Sequence, residues 1–259
     1  MKFLTEDNVG EVREIGFTVV RGALDVAYAA DLRSRLAKLV ADQRASATEM
    51  SRIDDYMVHN PMVLDSTFLH LLEHPAIVEI LDEFLGDTSI LYAYTTSSMP
   101  AGGTNYSNRL HVDSPRVIPG YISQMGVIIA LDDFTEQNGA TYLLPRSFEL
   151  TTAPTEEEFF ACAERVLPRR GDLVVLNPRT WHYGGKNETH EDRHAVTLSA
   201  CRSFMRQRFD YPRLVGQDIV DELTPTLRRL LGFNVRVPSS LEEYYVPEDQ
   251  RLYLAGQPS

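Results

Sequence analysis

From Thr88 to about Met205 the apolar residues come in short runs, β-branched or aromatic and divided by Gly, Pro and Asn. They are SILYAYTTSSM, NRLHVD, YISQMGVIIAL, ATYLLP, DLVVLN and HAVTLSACRSFM. Runs this short read as strands, and no regular alternation with helices suggests βαβ units. Six strands separated by turn residues predict a sandwich or jelly roll. One helix interrupts them: TEEEFFACAERV starts with Thr155 as cap and Glu158 as its capping-box partner, and the acids Glu156 to Glu158 suit a helix N-terminus.

The N-terminal third has another period. From Asp25 to Arg44, Leu32, Leu36, Leu39 and Val40 recur at helical spacing, with Asp25 placed to cap. A second helix runs from Pro75 to Leu85, apolar on one side through Ile77, Leu81 and Phe84, and stopped by Gly86. Between the N-terminus and these helices GFTVVRG reads as a strand. Beyond the β region, QDIVDELTPTLRRLL predicts a helix, although Pro225 inside it would remove an internal hydrogen bond. The rest is an irregular tail. The expected organisation is one domain over 1–259: helical support over about 1–87, a jelly-roll core over about 88–206, and a C-terminal helix and tail over 207–259. The fold class is mainly β with flanking helices.

Composition narrows the partners. The chain has 259 residues with 25 Lys+Arg against 37 Asp+Glu, a net charge of −12. Nucleic-acid binding draws its affinity from Lys and Arg, so this balance argues against it. No stretch is apolar for the ~18 to 20 residues that a membrane span needs, and MKFLTEDNVGEVREIG turns acidic before a signal-peptide core forms. A cytoplasmic protein with a small-molecule partner, as monomer or homodimer, is the expectation. Cys162 and Cys201 are too few for a disulfide framework or a thiolate zinc site.

The chemistry lies in a few residues. On a strand, His111 and Asp113 project from one face while Val112 points away, offering an imidazole and a carboxylate to one point. These are two thirds of a two-histidine, one-carboxylate metal site. A lone His182 beside Gly184 and Gly185 supplies a third donor. Arg193 stands at the start of the strand-like HAVTLSAC, which supplies no carboxylate of its own, and its fork suits bidentate capture of a carboxylate ligand.

His111-x-Asp113, Asn138-Gly139-Ala140-Thr141 followed by Pro145 and Ser147, the Gly171-Asp172 turn, His182 and Arg193 stand in an order that resembles the phytanoyl-CoA dioxygenase family. The resemblance runs from about Val9 to Met205. It implies a double-stranded β-helix, a cupin-like jelly roll, in which His111, Asp113 and His182 hold iron(II), Fe(II), and Arg193 binds the distal carboxylate of 2-oxoglutarate. Dioxygen, O2, is the other cosubstrate. Two departures stand out: Pro145-Arg146-Ser147-Phe148 where the family often has Pro-Gly-Ser-His, and Gly184 where a serine often helps hold the cosubstrate. Thr95, Ser97 and Gln124 are candidates to replace that hydroxyl.

The resemblance implies oxidation of a C–H bond of a small molecule by hydroxylation, epimerisation or oxidative ring closure in natural-product biosynthesis. The retained carboxylate of Asp113 favours these over chlorination. Acyl-CoA hydroxylation is an alternative that the acidic balance disfavours, because coenzyme A is polyanionic. A non-catalytic cupin-like binding protein and a zinc hydrolase with the same ligands are others. Arg109 and Arg116 are candidates for an anionic substrate, or solvated strand-end arginines. Tyr94, Tyr121 and Tyr183 are candidates to line the pocket, or core and rim packing. His59, His70 and His74 read as surface or helix-face residues, and Ala45 to Met62 as lid or interface.

Overall fold

The structure is a computed structural model that describes residues 2–216 and 219–251. Its first helix starts at Thr5, whose hydroxyl accepts the Asn8 amide while the Asn8 side chain accepts the Thr5 amide; Glu6–Glu14 (α1) follows. Phe17–Val20 is β1. The Asp25 carboxylate then takes the amides of Ala27 and Tyr28 and starts Val26–Ala45 (α2), which buries Ala29, Leu32, Leu36 and Val40. Ser66–Leu71 is α3. The imidazole of His74 caps Pro75–Leu85 (α4), and Gly86 ends it.

Among the described residues eight strands build two antiparallel sheets. Ile90–Thr96 (β2), Gln124–Ala130 (β3), Leu173–Leu176 (β6) and Ala195–Cys201 (β8) join β1 in the order β1-β6-β3-β8-β2. Thr141–Leu143 (β4), Glu164–Arg165 (β5) and His182–Gly184 (β7) form the smaller sheet, β5-β4-β7. This is the jelly roll that the strand pattern implies, with helices flanking it.

Strand alternation assigns the two faces of the large sheet. Met125, Val127 and Ile129 of β3, Val196 and Leu198 of β8, and Leu173 and Val175 of β6 pack with Leu32, Leu36, Phe68, Ile77 and Ile80 of the helices. Each such fully buried side chain contributes about 1.5–3 kcal/mol of transfer free energy. The alternate residues Gly126, Ile128 and Thr197 turn toward the smaller sheet and line a cavity. On β2 the register shifts between Leu91 and Ala93. That bulge puts Leu91 and Tyr94, three apart, on the helix-packed face, and leaves Ala93 and Thr95 on the cavity side.

Four sequence expectations change. NRLHVD is not a strand; its only ladder contact is a single bridge from His111 to His182. The helix in TEEEFFACAERV has the expected capping box but stops after Glu156–Cys162 (α5), because Glu164 and Arg165 leave it to pair with β4. Gln217 and Asp218, the start of the predicted C-terminal helix, lie outside the described residues; the remainder is a turn at Val220–Glu222 and a separate helix, Pro225–Leu230, after Tyr211–Val215. These two helices are α6, Tyr211–Val215, and α7, Pro225–Leu230. Thr224 caps α7, so Pro225 occupies its first turn, where a missing N–H costs nothing. The tail holds two helical turns, Leu241–Tyr244 (α8) and a 3-10 turn at Glu248–Gln250, and its last residues, from 252, lie outside the described residues.

Candidate metal centre and its cavity

Two backbone ties assemble the centre. His111 and His182 exchange hydrogen bonds, His111 N to His182 O at 3.1 Å and His182 N to His111 O at 2.9 Å. The amides of Asp113 and Ser114 both donate to the Pro178 carbonyl, at 2.9 and 3.1 Å. The convergence of His111 and Asp113 therefore comes from docking of an irregular segment onto the loop before β7, not from strand alternation. The imidazole centroids lie 4.1 Å apart. His111 Nε2 is 3.7 Å and His182 Nε2 3.9 Å from carboxylate oxygens of Asp113.

The tautomers suit a metal. His111 Nδ1 is 2.8 Å from the Arg109 carbonyl and His182 Nδ1 2.9 Å from the Thr180 carbonyl, so each Nδ1–H donates and each Nε2 lone pair faces its neighbours. Burial, then the nearby His182, pushes the His111 pKa down to about 4, which keeps it a neutral ligand at physiological pH. One atom from each of His111, Asp113 and His182 fits within 4.8 Å, and no other such cluster of His, Cys, Asp or Glu occurs among the described residues. Two imidazoles and one carboxylate are the donor set of non-heme iron(II) oxygenases.

Arg193 enters the same cavity, which has a volume of about 300 Å3. The residue is 3% exposed. Its guanidinium donates to the carbonyls of Gly139 at 3.0 Å and Ser97 at 3.5 Å and lies 4.1 Å over the Phe134 ring. Nε has no partner, and no carboxylate pairs with the side chain among the described residues. Burial lowers its pKa to about 10, so the group stays charged at neutral pH. An unpaired buried cation is costly, and an anionic ligand relieves that cost. Gly139 has φ +85, and a Cβ there would lie 2.7 Å from the Gly185 carbonyl oxygen, so only glycine presents this carbonyl to Arg193.

Thr95, Ser97 and Arg109 line the cavity too. The other sequence candidates lie elsewhere. Tyr94 is buried in the helix-facing core, its hydroxyl donating to the Phe68 carbonyl at 2.9 Å, because the β2 bulge turns it away. Tyr183 packs edge-on against Phe160 of α5, opposite His182 on β7. Gln124, Arg116 and Tyr121 line a neighbouring depression with Asn177 and Arg179. His74, expected at the surface or on a helix face, is half-buried and caps α4, and the buried His194 Nδ1 bonds Ser98 Oγ at 2.7 Å.

The cavity holds residues that the sequence reading passed over: Thr141, Thr197, Ser199, Tyr92, Met57 and Arg208. Thr197 and Ser199 stand at period two from Arg193, a signal that was legible. Thr141 belonged to the Asn-Gly-Ala-Thr motif; Arg208 had no signal. Thr141 also lies directly across from Gly184 in the β4–β7 register. A Cβ at Gly184 would meet Ser107 Oγ at 2.3 Å, so a serine there has no room in this chain, and Thr141 offers a hydroxyl from the opposite strand.

A family model described as phytanoyl-CoA dioxygenase matches residues 12–195. The chain belongs to the phytanoyl-CoA dioxygenase family. As a family member it is an iron(II)- and 2-oxoglutarate-dependent dioxygenase, an oxidoreductase. It is 33% identical over 256 residues to the uncharacterized protein Rv1501 of Mycobacterium tuberculosis, covering 94% of this chain and 92% of that protein. It is 26% identical over 242 residues to dioxygenase af480 of Aspergillus fumigatus, covering 88% and 77%. Among solved structures, EctD from S. alaskensis with 2-oxoglutarate and 5-hydroxyectoine shares the fold, with a TM-score of 0.67 and 16% identity over 79% of this chain and 78% of that one. This phytanoyl-CoA dioxygenase family member therefore places its His-Asp-His cluster inside a fold that it shares with EctD.

Proposed function

We propose that His111 Nε2, an oxygen of Asp113 and His182 Nε2 hold iron(II), that Arg193 binds the distal carboxylate of 2-oxoglutarate, and that the enzyme oxidises a C–H bond of a small molecule. The observation that carries this reading is Arg193, a buried cation without a carboxylate partner in the same cavity as the three donor atoms. Bound iron(II) and 2-oxoglutarate supply an oxidant made from dioxygen, at the expense of decarboxylating the keto acid to succinate.

The protein's own contribution is positioning. The carbonyls of Arg109 and Thr180 hold the two imidazoles in one tautomer. Gly139 and Ser97 aim the Arg193 guanidinium. The Ser97 hydroxyl oxygen accepts from Asn105 Nδ2 at 3.2 Å, which leaves its own proton for a ligand oxygen. Thr141 takes the place of the family serine that Gly184 replaces. Thr95 donates instead to the Val58 carbonyl. Hydroxylation, epimerisation or oxidative ring closure of a natural product is the proposed outcome. Acyl-CoA fits less well, because coenzyme A is polyanionic and the chain is acidic.

Anaerobic addition of iron(II) and 2-oxoglutarate tests the assignment. A weak visible charge-transfer band is expected in the wild type and not in His111→Ala. Its absence from the wild type removes the assignment. Substrate turnover that needs metal but not 2-oxoglutarate would favour a zinc-type hydrolase instead.

A further inference from the structure

The cavity holds two cations that the proposed iron and 2-oxoglutarate chemistry leaves unused. Arg109 precedes His111 by two residues and lies 4.3 Å over the Tyr106 ring. Arg208 comes from the segment after β8, held by its amide to the Tyr92 carbonyl at 2.9 Å. Both line the cavity that contains His111, Asp113 and His182. Neither guanidinium makes a hydrogen bond or ion pair with any described residue. Asp113, committed to the metal, is the only acidic side chain among the described residues that line the cavity.

Some other arginines of this acid-rich chain pair with carboxylates: Arg33 with Asp132 at 2.6 Å and Arg229 with Asp82 at 2.6 Å. Although the chain carries 37 acidic residues against 25 basic ones, neither Arg109 nor Arg208 is paired with a carboxylate, so both are available to an anion from outside. Arginine forks can hold a phosphoryl group as they hold a carboxylate, but such sites commonly add lysine, a helix N-terminus or a glycine-rich loop. The lining has no lysine, and none of its residues begins a helix. A guanidinium fork meets a planar carboxylate through two parallel N–H donors. Met57, Tyr92 and Ile128 supply apolar lining beside the two arginines.

We propose that Arg109 and Arg208 form a carboxylate-binding pair in the substrate part of the cavity, and that the substrate is a small organic acid with an apolar body. The proposal rests on the reading of Arg193 as the anchor of the cosubstrate, which leaves these two arginines for the substrate. They set specificity for an anionic molecule with one carboxylate over an uncharged analogue of the same shape, which forms no charge-assisted hydrogen bonds with them.

The test uses protein loaded anaerobically with iron(II) and saturating 2-oxoglutarate, so that Arg193 is occupied. Binding of 2-naphthoate and of its uncharged counterpart, 2-naphthamide, is measured by calorimetry. Wild type should bind the acid at least about tenfold more tightly, and Arg109→Gln and Arg208→Gln should each weaken the acid by about fivefold or more while changing the amide by less than about twofold. Both residues are exposed, so the variants should fold. Equal affinity for acid and amide, no binding of the acid, or unchanged acid binding in both variants overturns the proposal. The charge-transfer band on the same samples reports the iron and cosubstrate reading separately. A band without acid selectivity removes only the carboxylate pair; acid selectivity without a band supports the pair and removes the iron reading.

Discussion

His111 and His182 exchange two backbone hydrogen bonds although no strand carries His111. The bridge ties the loop between β2 and β3 to the first residue of β7 and sets the imidazoles side by side, tilted by 48° with a centroid separation of 4.1 Å. Because the tie is made by the backbone, it survives loss of either ring. His111→Ala and His182→Ala should keep the wild-type circular dichroism and yet bind iron(II) or cobalt(II) at least ~100-fold more weakly, as metal titration would record. Metal affinity within a few-fold of wild type would show that the rings are not ligands.

Arg193 should respond in opposite directions to two measurements. A buried charge without a counter-ion is costly to desolvate, so replacing it by an apolar side chain of similar length is expected to be neutral or stabilising. Arg193→Met should therefore unfold at a temperature no lower than wild type in the absence of ligand. The same variant should gain no stability from 2-oxoglutarate at concentrations that raise the wild-type midpoint. Equal ligand-induced shifts in the two proteins would show that Arg193 does not hold the cosubstrate.

The metal-free protein should lose stability as pH falls from 7 to 5. Burial lowers the folded pKa of His111 to about 4, and it lowers those of His74 and His194 as well. Between about 4 and the unfolded value of about 6.5 the unfolded chain binds the extra proton, so stability rises with pH across that window. His111 alone accounts for about 2 kcal/mol between pH 7 and pH 5, on the order-of-magnitude relation between a pKa shift and stability. Urea unfolding at the two pH values checks this, and His111→Gln should flatten the difference.

Gly184→Ser, which would restore the family hydroxyl, should damage this protein. A Cβ at 184 stands 2.3 Å from Ser107 Oγ and 3.0 Å from the Ser107 carbonyl, and overpacking of this kind costs about 1–3 kcal/mol. Calorimetric unfolding should show that loss, and Ser107→Gly in the same background should recover part of it. Thr141→Val should instead leave stability near wild type and raise the 2-oxoglutarate requirement, since Thr141 reaches the site from the facing strand.

The amino-acid sequence by itself determined the local elements and the chemical types. Asp25, Thr155 and Gly86 mark helix ends through hydrogen bonds and backbone conformations that act over a few residues. The strands were legible because alternation and β-branching are local too, and the order of His111, Asp113, His182 and Arg193 was legible through the family resemblance. What only the tertiary structure decided depends on contacts between distant residues. The bulge in β2 sends Tyr94 into the core, and the Pro178 carbonyl, far along the chain, brings Asp113 to the two imidazoles. Thr224 starts a helix at a proline that would have broken a longer one. Arg208 reaches the cavity from beyond the last strand, with no local pattern to announce it. A period-two or period-3.6 pattern reports which face of an element is apolar, but not which distant segment docks against that face.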